Sequence, residues 1–262
     1  MSDAVPSSSP RETHATQPEQ GSGGWLADAA ALLSASTGTD ATESGTLDAL
    51  GDRQAAEQKL IEPWVELHGL WMEIGNLNEL LLGGTEHDVA RVGDPIRHVR
   101  RVTKPTDETR GVGYGYTPVV EGGLRLGPAS LGEYLHRLVL LNEVFPDVAM
   151  TLEGFIRTPL RLEVVTLQEY VPGRLLGDIA AELGGHEVRR LIDGWFTRRG
   201  FAKLYLSNQP GPSHAWYREE DNTAVFDAKP ANLLEWNGSL RPIDVNPARP
   251  TGALLRAIRA AL

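Results

Sequence analysis

The sequence predicts an α+β fold in which a sheet-rich first lobe precedes a small helical second lobe. Three observations predict it. Strand-length apolar runs punctuated by glycine turns fill much of residues 79–170, and one amphipathic helix interrupts them. After Pro172-Gly173 helical spacing takes over, until a short hairpin closes the chain near its C-terminus.

Residues 1–55 are rich in Ser, Thr, Gly, Ala and Asp, with Trp25 their only aromatic. Such a composition buries too little apolar surface to offset its ordering entropy, so a disordered tail or linker is expected. Within it, Trp25–Ser34 reads as a short amphipathic helix, either a docking segment or transient structure in the arm. The folded domain is expected over 56–262: a first lobe at about 56–167, a hinge at about 168–173 and a second lobe at about 174–262.

Leu60, Ile61, Trp64, Leu67 and Leu70 recur at helical spacing and predict a helix that enters the domain. Gly83-Gly84, a strand, the turn Gly93-Asp94-Pro95 and a second strand ending at Thr103 predict a hairpin. Residues 106–128 are glycine-dense and read as a long loop. Ser130 with Glu133 three places on forms an S-x-x-E capping box for a helix from Leu131 to about Val144. Strands are expected at Met150–Arg157 and Leu160–Tyr170, and helices at Leu175–Leu183 and His186–Thr197. Short strands at Ala224–Phe226, Asn232–Trp236 and Leu240–Val245 follow, the last two joined by an Asn237-Gly238 turn. A helix over Gly252–Leu262 ends the chain.

Composition narrows the function. With no cysteine, disulfides, thiolate metal sites and thiol catalysis are excluded. A formal net charge of −10 argues against nucleic-acid backbone binding, which needs clustered Lys and Arg. The opening MSDAVPSSSP is not a signal peptide, and no run approaches a membrane span, so a cytoplasmic, soluble protein without membrane partners is expected. The histidines show no H-x-x-x-H spacing and no serine sits in a G-x-S-x-G elbow, which leaves zinc and serine-hydrolase chemistry without support. Trp195, Trp216 and Trp236 read as packing residues.

The informative stretch is Val225–Val245, VFDAKPANLLEWNGSLRPIDV. Phosphoryl transfer from a nucleotide needs a divalent ion held by oxygen ligands, usually a carboxylate and an amide, and a second carboxylate beside the acceptor hydroxyl. Asp227 and Asn232 flank a tight Pro-containing loop, and Asp244 ends a hairpin that folds back beside it. These residue types also build ordinary turns. Gly83-Gly84 also reads as a plain turn, Glu133 as no more than a cap, and Arg100, Arg101 and Lys104 as a solvated basic face. Glu86 and His87 receive no role.

Asp227-Ala-Lys229-Pro230-Ala-Asn232 resembles the D-x-K-P-x-N catalytic loop of protein kinases, and Pro242-Ile243-Asp244 resembles their metal-binding strand end. Gly83-Gly84-Thr-Glu86-His87-Asp-Val89, Val102-Thr103-Lys104-Pro105, Glu133-Tyr134-Leu135 and Asn142-Glu-Val-Phe145 precede that core in order. Over roughly residues 60–250 the chain thus resembles the kinase-like domains of polyvalent proteins from phages and conjugative elements. The resemblance implies a two-lobed kinase-like fold using ATP and Mg²⁺. It makes Asp227 the base, Lys229 the cation steadying the transferred phosphate, and Asn232 and Asp244 the metal ligands. Gly83 and Gly84 would cover the phosphates, Glu133 would pair with the nucleotide-binding cation, and Glu169 and Val171 would lie in the hinge that meets adenine. That cation is Arg101 where the family pattern favours lysine, with Lys104 nearby but on the opposite strand face. The acceptor implied is a hydroxyl, of a protein Ser, Thr or Tyr. The alternative is a non-catalytic kinase-like module that binds nucleotide or docks a protein.

Overall fold

An antiparallel sheet of four strands organises the first half of the chain. Its strands are β1 (His87–Val92), β2 (His98–Thr103), β7 (Met150–Arg157) and β8 (Leu162–Glu169), in the order β1-β2-β8-β7. The computed structural model describes residues 24–36, 47–73, 84, 86–206 and 213–262, which form a mixed α/β structure of antiparallel sheets and six helices. Register pairs Val89 with Arg101 and Arg101 with Thr166, so Arg101 sits in the middle of the sheet. The hairpin and both later strands were legible because period-2 alternation and the Gly93 turn mark them locally.

Helix α3 (Leu131–Val144) starts as the sequence predicts. Ser130 accepts a hydrogen bond from the Glu133 amide, and Glu133 accepts one from the Ser130 amide at 2.8 Å. Its apolar face (Leu131, Leu135, Leu138, Leu141) is buried in the main core with Phe155 and Val164. At its C-terminal end Asn142 bonds both the N–H and the carbonyl of Met150, fixing the helix to the start of β7.

Of the tail expected through residue 55, residues 1–23 and 37–46 lie outside the described residues; the rest is helical, with a first helix where one at Trp25–Ser34 was expected and a second as a correction. In α1 (Gly24–Ser36), Leu26, Ala29, Ala30 and Leu33 form a buried stripe at i, i+3, i+4 and i+7 against α3. Small alanines let the two helices approach closely. Of the two readings given to Trp25–Ser34, the packing on α3 is that of a docking segment. Helix α2 (Leu47–Leu67) begins well before Leu60 because its first half is held by polar contacts. Gln54 bonds the Gly111 carbonyl and the Gly113 amide, and buried Glu57 accepts from Ser130 and from the Gly132 amide.

The loop expected at 106–128 is instead two hairpins. These are β3 (Pro105–Asp107) with β4 (Val112–Tyr114), and β5 (Tyr116–Val120) with β6 (Leu124–Pro128). Glycine density here reflects tight reversals and close approach, not slack.

After β9 (Arg174–Leu175) come α4 (Leu176–Leu183) and α5 (Gly185–Thr197). Strands β10 (Ala202–Lys203), β11 (Trp216–Arg218), β12 (Thr223–Phe226) and β15 (Asn246–Ala248) form a second sheet in that order. Strand β13 (Leu233–Trp236) pairs with both β14 (Ser239–Pro242) and β9 in a third, and α6 (Gly252–Ala260) ends the chain. Trp195 and Trp216 are packing residues as expected: Phe196 stacks on Trp216 at 4.3 Å, with Trp195 at its edge. The Asn237-Gly238 hairpin forms as read, with both residues at positive φ. The return strand, however, stops at Pro242, and the chain resumes pairing at Asn246 beside β12.

Candidate functional site

Pairing of β12 with β15 sets Phe226 opposite Asn246, which brings the loop after Phe226 and the turn before Asn246 to the same end of that sheet. The Ile243 amide donates to the Asn232 carbonyl at 2.9 Å and ties the two segments together. Asp227, Asn232 and Asp244 therefore lie on adjoining segments, as the spacing predicted.

Asp227 has φ of +55°, a left-handed conformation that Asp tolerates better than most residues but still at some cost. A 3₁₀ turn at Pro230–Asn232 returns the chain beneath it. Buried Asn232 donates Nδ2 to the Asp227 carbonyl at 2.7 Å and to its Oδ2 at 2.8 Å. Lys229 Nζ reaches the same Oδ2 at 3.1 Å. One carboxylate oxygen is thus held by an amide and a cation.

Asp244 is gripped from the central sheet. Arg101, 7% exposed, points its Nη2 at the Asp244 carboxylate (3.0 Å) and donates Nη1 to the Ile243 carbonyl at 2.9 Å. Burial alone would raise the Asp244 carboxyl; Arg101, then His87 and Arg137, outweigh it and hold the group below its usual range.

Sequence reasoning missed the group that completes this site. Glu86 and Arg137 form an ion pair at 2.8 Å with both side chains under 10% exposed. Arg137 also donates to the Tyr116 carbonyl and to Asn246 Oδ1. Burial raises the Glu86 carboxyl, Arg137 opposes that, and nearby Asp244 and Asp227 push it up again. His87, buried beside it, bonds the Tyr134 hydroxyl through Nε2 at 3.0 Å and has Nδ1 4.0 Å from Asp244. Burial, then Arg101, hold this imidazole well below its ordinary value, so it is neutral at pH 7. Glu86, His87 and Asp244 each offer a ligand atom within 4.8 Å of the others, a set able to hold a divalent ion. The usable signal was Arg137, a charged residue on the otherwise apolar face of α3. A second was Glu86-His87, at the start of a strand that follows Gly83-Gly84-Thr85.

Gly115 is needed here. Its φ is +72°, and a Cβ at 115 would collide with the Glu86 carboxylate and crowd the Arg137 guanidinium.

Other expected site residues lie elsewhere. Gly83 falls outside the described residues; Gly84 is exposed, two residues before Glu86. Lys104 is corrected: strand alternation sends it away from Asp244, and Nζ lies 3.6 Å from Asp88. Glu133 is corrected too, since the capping box and Arg53 (3.4 Å) occupy it and it does not meet Arg101. The helix-to-sheet ion pair is instead made by Arg137 and Glu86, with the charges exchanged. Glu169 pairs with His98 in the sheet, one register step of two from Leu167 and Arg100, so its side chain lies on the face opposite Arg101. Val171 packs against the main core.

No helix among the described residues is long and apolar enough to cross a membrane. No family model, curated protein or solved structure matches this chain.

Proposed function

We propose that the protein is an ATP- and Mg²⁺-dependent phosphotransferase with a two-lobed, kinase-like fold that phosphorylates a hydroxyl, of a protein Ser, Thr or Tyr. One observation carries the reading. Arg101, from the central sheet, faces Asp244 across from the Asp227–Asn232 loop, so a guanidinium, two carboxylates and an amide are drawn from two separate sheets.

The donor set suits a hard divalent ion. Asn232 spends its amide N–H groups on Asp227, which leaves its carboxamide oxygen as an acceptor, while its backbone carbonyl is bonded by the residue before Asp244. Such an ion would neutralise charge on the nucleotide phosphates. Arg101 is the fork suited to a phosphate oxygen, and its bond to Asp244 is the one a nucleotide would compete for. Asp227 orients the acceptor hydroxyl. As the acceptor oxygen bonds the γ-phosphorus and the bond to the ADP oxygen breaks, the hydroxyl proton passes to Asp227. Lys229, already on Asp227, offsets charge at the transferred group.

The test is Mg²⁺-dependent ATP turnover and autophosphorylation of the purified protein beside Asp227→Ala and Asp244→Ala. Activity lost in both variants supports transfer. A second reading is a non-catalytic nucleotide-binding module. It is favoured by Arg101, which holds both Ile243 and Asp244 and so closes the site on itself. Thermal stabilisation by nucleotide with no phosphate moved would select it.

A further inference from the structure

A groove of about 1000 Å³ runs along α5 and β10, apart from the Asp244 cluster. We propose that it holds an acidic segment of the acceptor protein; this rests on the phosphotransferase reading for its catalytic consequence but not for the binding itself.

Charge is the first argument. Arg189, Arg190, Arg198 and Lys203 line the groove against a single carboxylate, Asp193, on a chain whose net charge is −10. Lys203 pairs with Asp193 at 2.8 Å and Arg190 with Glu187 at 2.7 Å. Arg189 and Arg198 are exposed and have no acidic partner among the described residues. Two guanidinium forks are therefore free to take carboxylates in bidentate fashion.

Ser213 is the second argument. It lines the same groove at 8% exposure, and its buried Oγ has no hydrogen-bond partner among the described residues. An orphaned buried hydroxyl is costly, and a turn of the Ser213 rotamer toward the groove would let a peptide carbonyl or carboxylate satisfy it.

Position is the third. Ser213 precedes His214, whose carbonyl accepts from the Ala228 amide at 3.1 Å, one residue past Asp227. The His214 imidazole, lowered first by burial and then by Lys203, also feels Asp227, Lys229 and Asp193. The wall of the groove at Ser213 is thus joined, through the next residue, to the segment that follows Asp227.

A peptide fits better than a nucleic acid. Four cations make a local patch, not a track, and a phosphate at every nucleotide would extend over a surface of net negative charge.

The experiment is fluorescence anisotropy without nucleotide. It uses a labelled Ser-containing peptide flanked by Glu and Asp, and the same peptide flanked by Gln and Asn. Wild type is expected to bind the acidic peptide at least tenfold more tightly. The double variant Arg189→Glu/Arg198→Glu, whose melting temperature checks its fold, is expected to abolish that preference. Ser213→Ala is expected to weaken binding several-fold. Equal binding of both peptides, or a preference that survives the double variant, overturns the groove. Tighter binding of a single-stranded RNA oligomer than of the acidic peptide overturns it as well. The two readings fail separately. Acidic-peptide binding with no phosphate transferred sinks the phosphotransferase alone; transfer with no acidic preference sinks the groove alone.

Discussion

Arg101 holds both ends of the Ile243-Asp244 unit, donating to the Ile243 carbonyl at 2.9 Å and lying 3.0 Å from the Asp244 carboxylate, across 142 residues of sequence to Ile243. The guanidinium is spent on the protein, so on the proposed reading a nucleotide phosphate would share it or displace it. Arg101→Ala should remove nucleotide-dependent thermal stabilisation and destabilise the free protein by about 1–3 kcal/mol, the worth of hydrogen bonds to a charged group. Arg101→Lys, which keeps a point charge but not the fork, should retain part of the nucleotide response. Melting curves with and without ADP–Mg²⁺ read both effects; an Arg101→Ala protein stabilised by nucleotide as strongly as wild type refutes the assignment.

Helix α1 belongs to the folded unit, not to a tail. Leu33 is fully buried and Leu26 nearly so, both in the main core. Leu33→Ala should cost about 2–5 kcal/mol in urea unfolding, the range for buried leucine truncation. A change under about 0.5 kcal/mol, typical of exposed sites, would show that α1 is not docked in solution.

Gly115 separates two costs. At Gly69 (φ +64°) a Cβ meets nothing within 4 Å, so Gly69→Ala should cost only the left-handed backbone, about 1–2 kcal/mol. Gly115→Ala adds a collision with Glu86 beside Arg137. It should cost clearly more, and it should weaken nucleotide binding because Glu86 and Asp244 share one cluster. Equal losses of stability for the two variants would mean that Glu86 moves aside freely.

Three histidines set the acid limb of stability. Burial lowers His136, His87 and His214 in the fold, so each takes up a proton more readily when unfolded. The unfolded state then binds more protons below pH ~6.5, and stability falls as pH drops from there toward each folded value. Each histidine contributes a slope of at most about 1.4 kcal/mol per pH unit. His136 lies on the α1–α3 contact beside Ser34. In unfolding free energies measured between pH 7.5 and 5, His136→Gln should flatten the decline; an unchanged slope would show that this imidazole titrates normally.

What could be read from the sequence was local. The capping box of Ser130 and Glu133, the hairpin at Gly93, the Asn237-Gly238 turn and the Asp227–Asn232 loop are each written within a few residues. What could not be read joins distant segments. Glu86 and Arg137 are 51 residues apart, Arg137 and Asn246 109, and nothing short-range couples them. Glu133 misled for the same reason: its local role as a cap was visible, and its distance from Arg101 was not. The hairpins over 105–128 were obscured because glycine marks both slack loops and tight reversals, and only the close neighbours of Gly111, Gly113, Gly115 and Gly127 distinguish them.

Two donor sets are available to the divalent ion of the proposed reading, and they share Asp244. Asn232 with Asp244 is the set the phosphotransferase reading uses; Glu86 and His87 with Asp244 is the one drawn together within 4.8 Å. Arg101 and Arg137 already balance the two carboxylates, so the free protein should bind Mg²⁺ or Mn²⁺ weakly. Added nucleotide brings phosphate charge that draws on Arg101, and divalent affinity should then rise by at least tenfold. Mn²⁺ titrations followed by electron paramagnetic resonance, with and without ADP, measure this directly. Asp244→Asn should abolish the nucleotide-linked gain in either case. If Asn232→Ala abolishes it and Glu86→Gln does not, the ion sits against the catalytic loop. The reverse result places it on β1 beside His87, whose imidazole nitrogen would then favour Mn²⁺ over Mg²⁺.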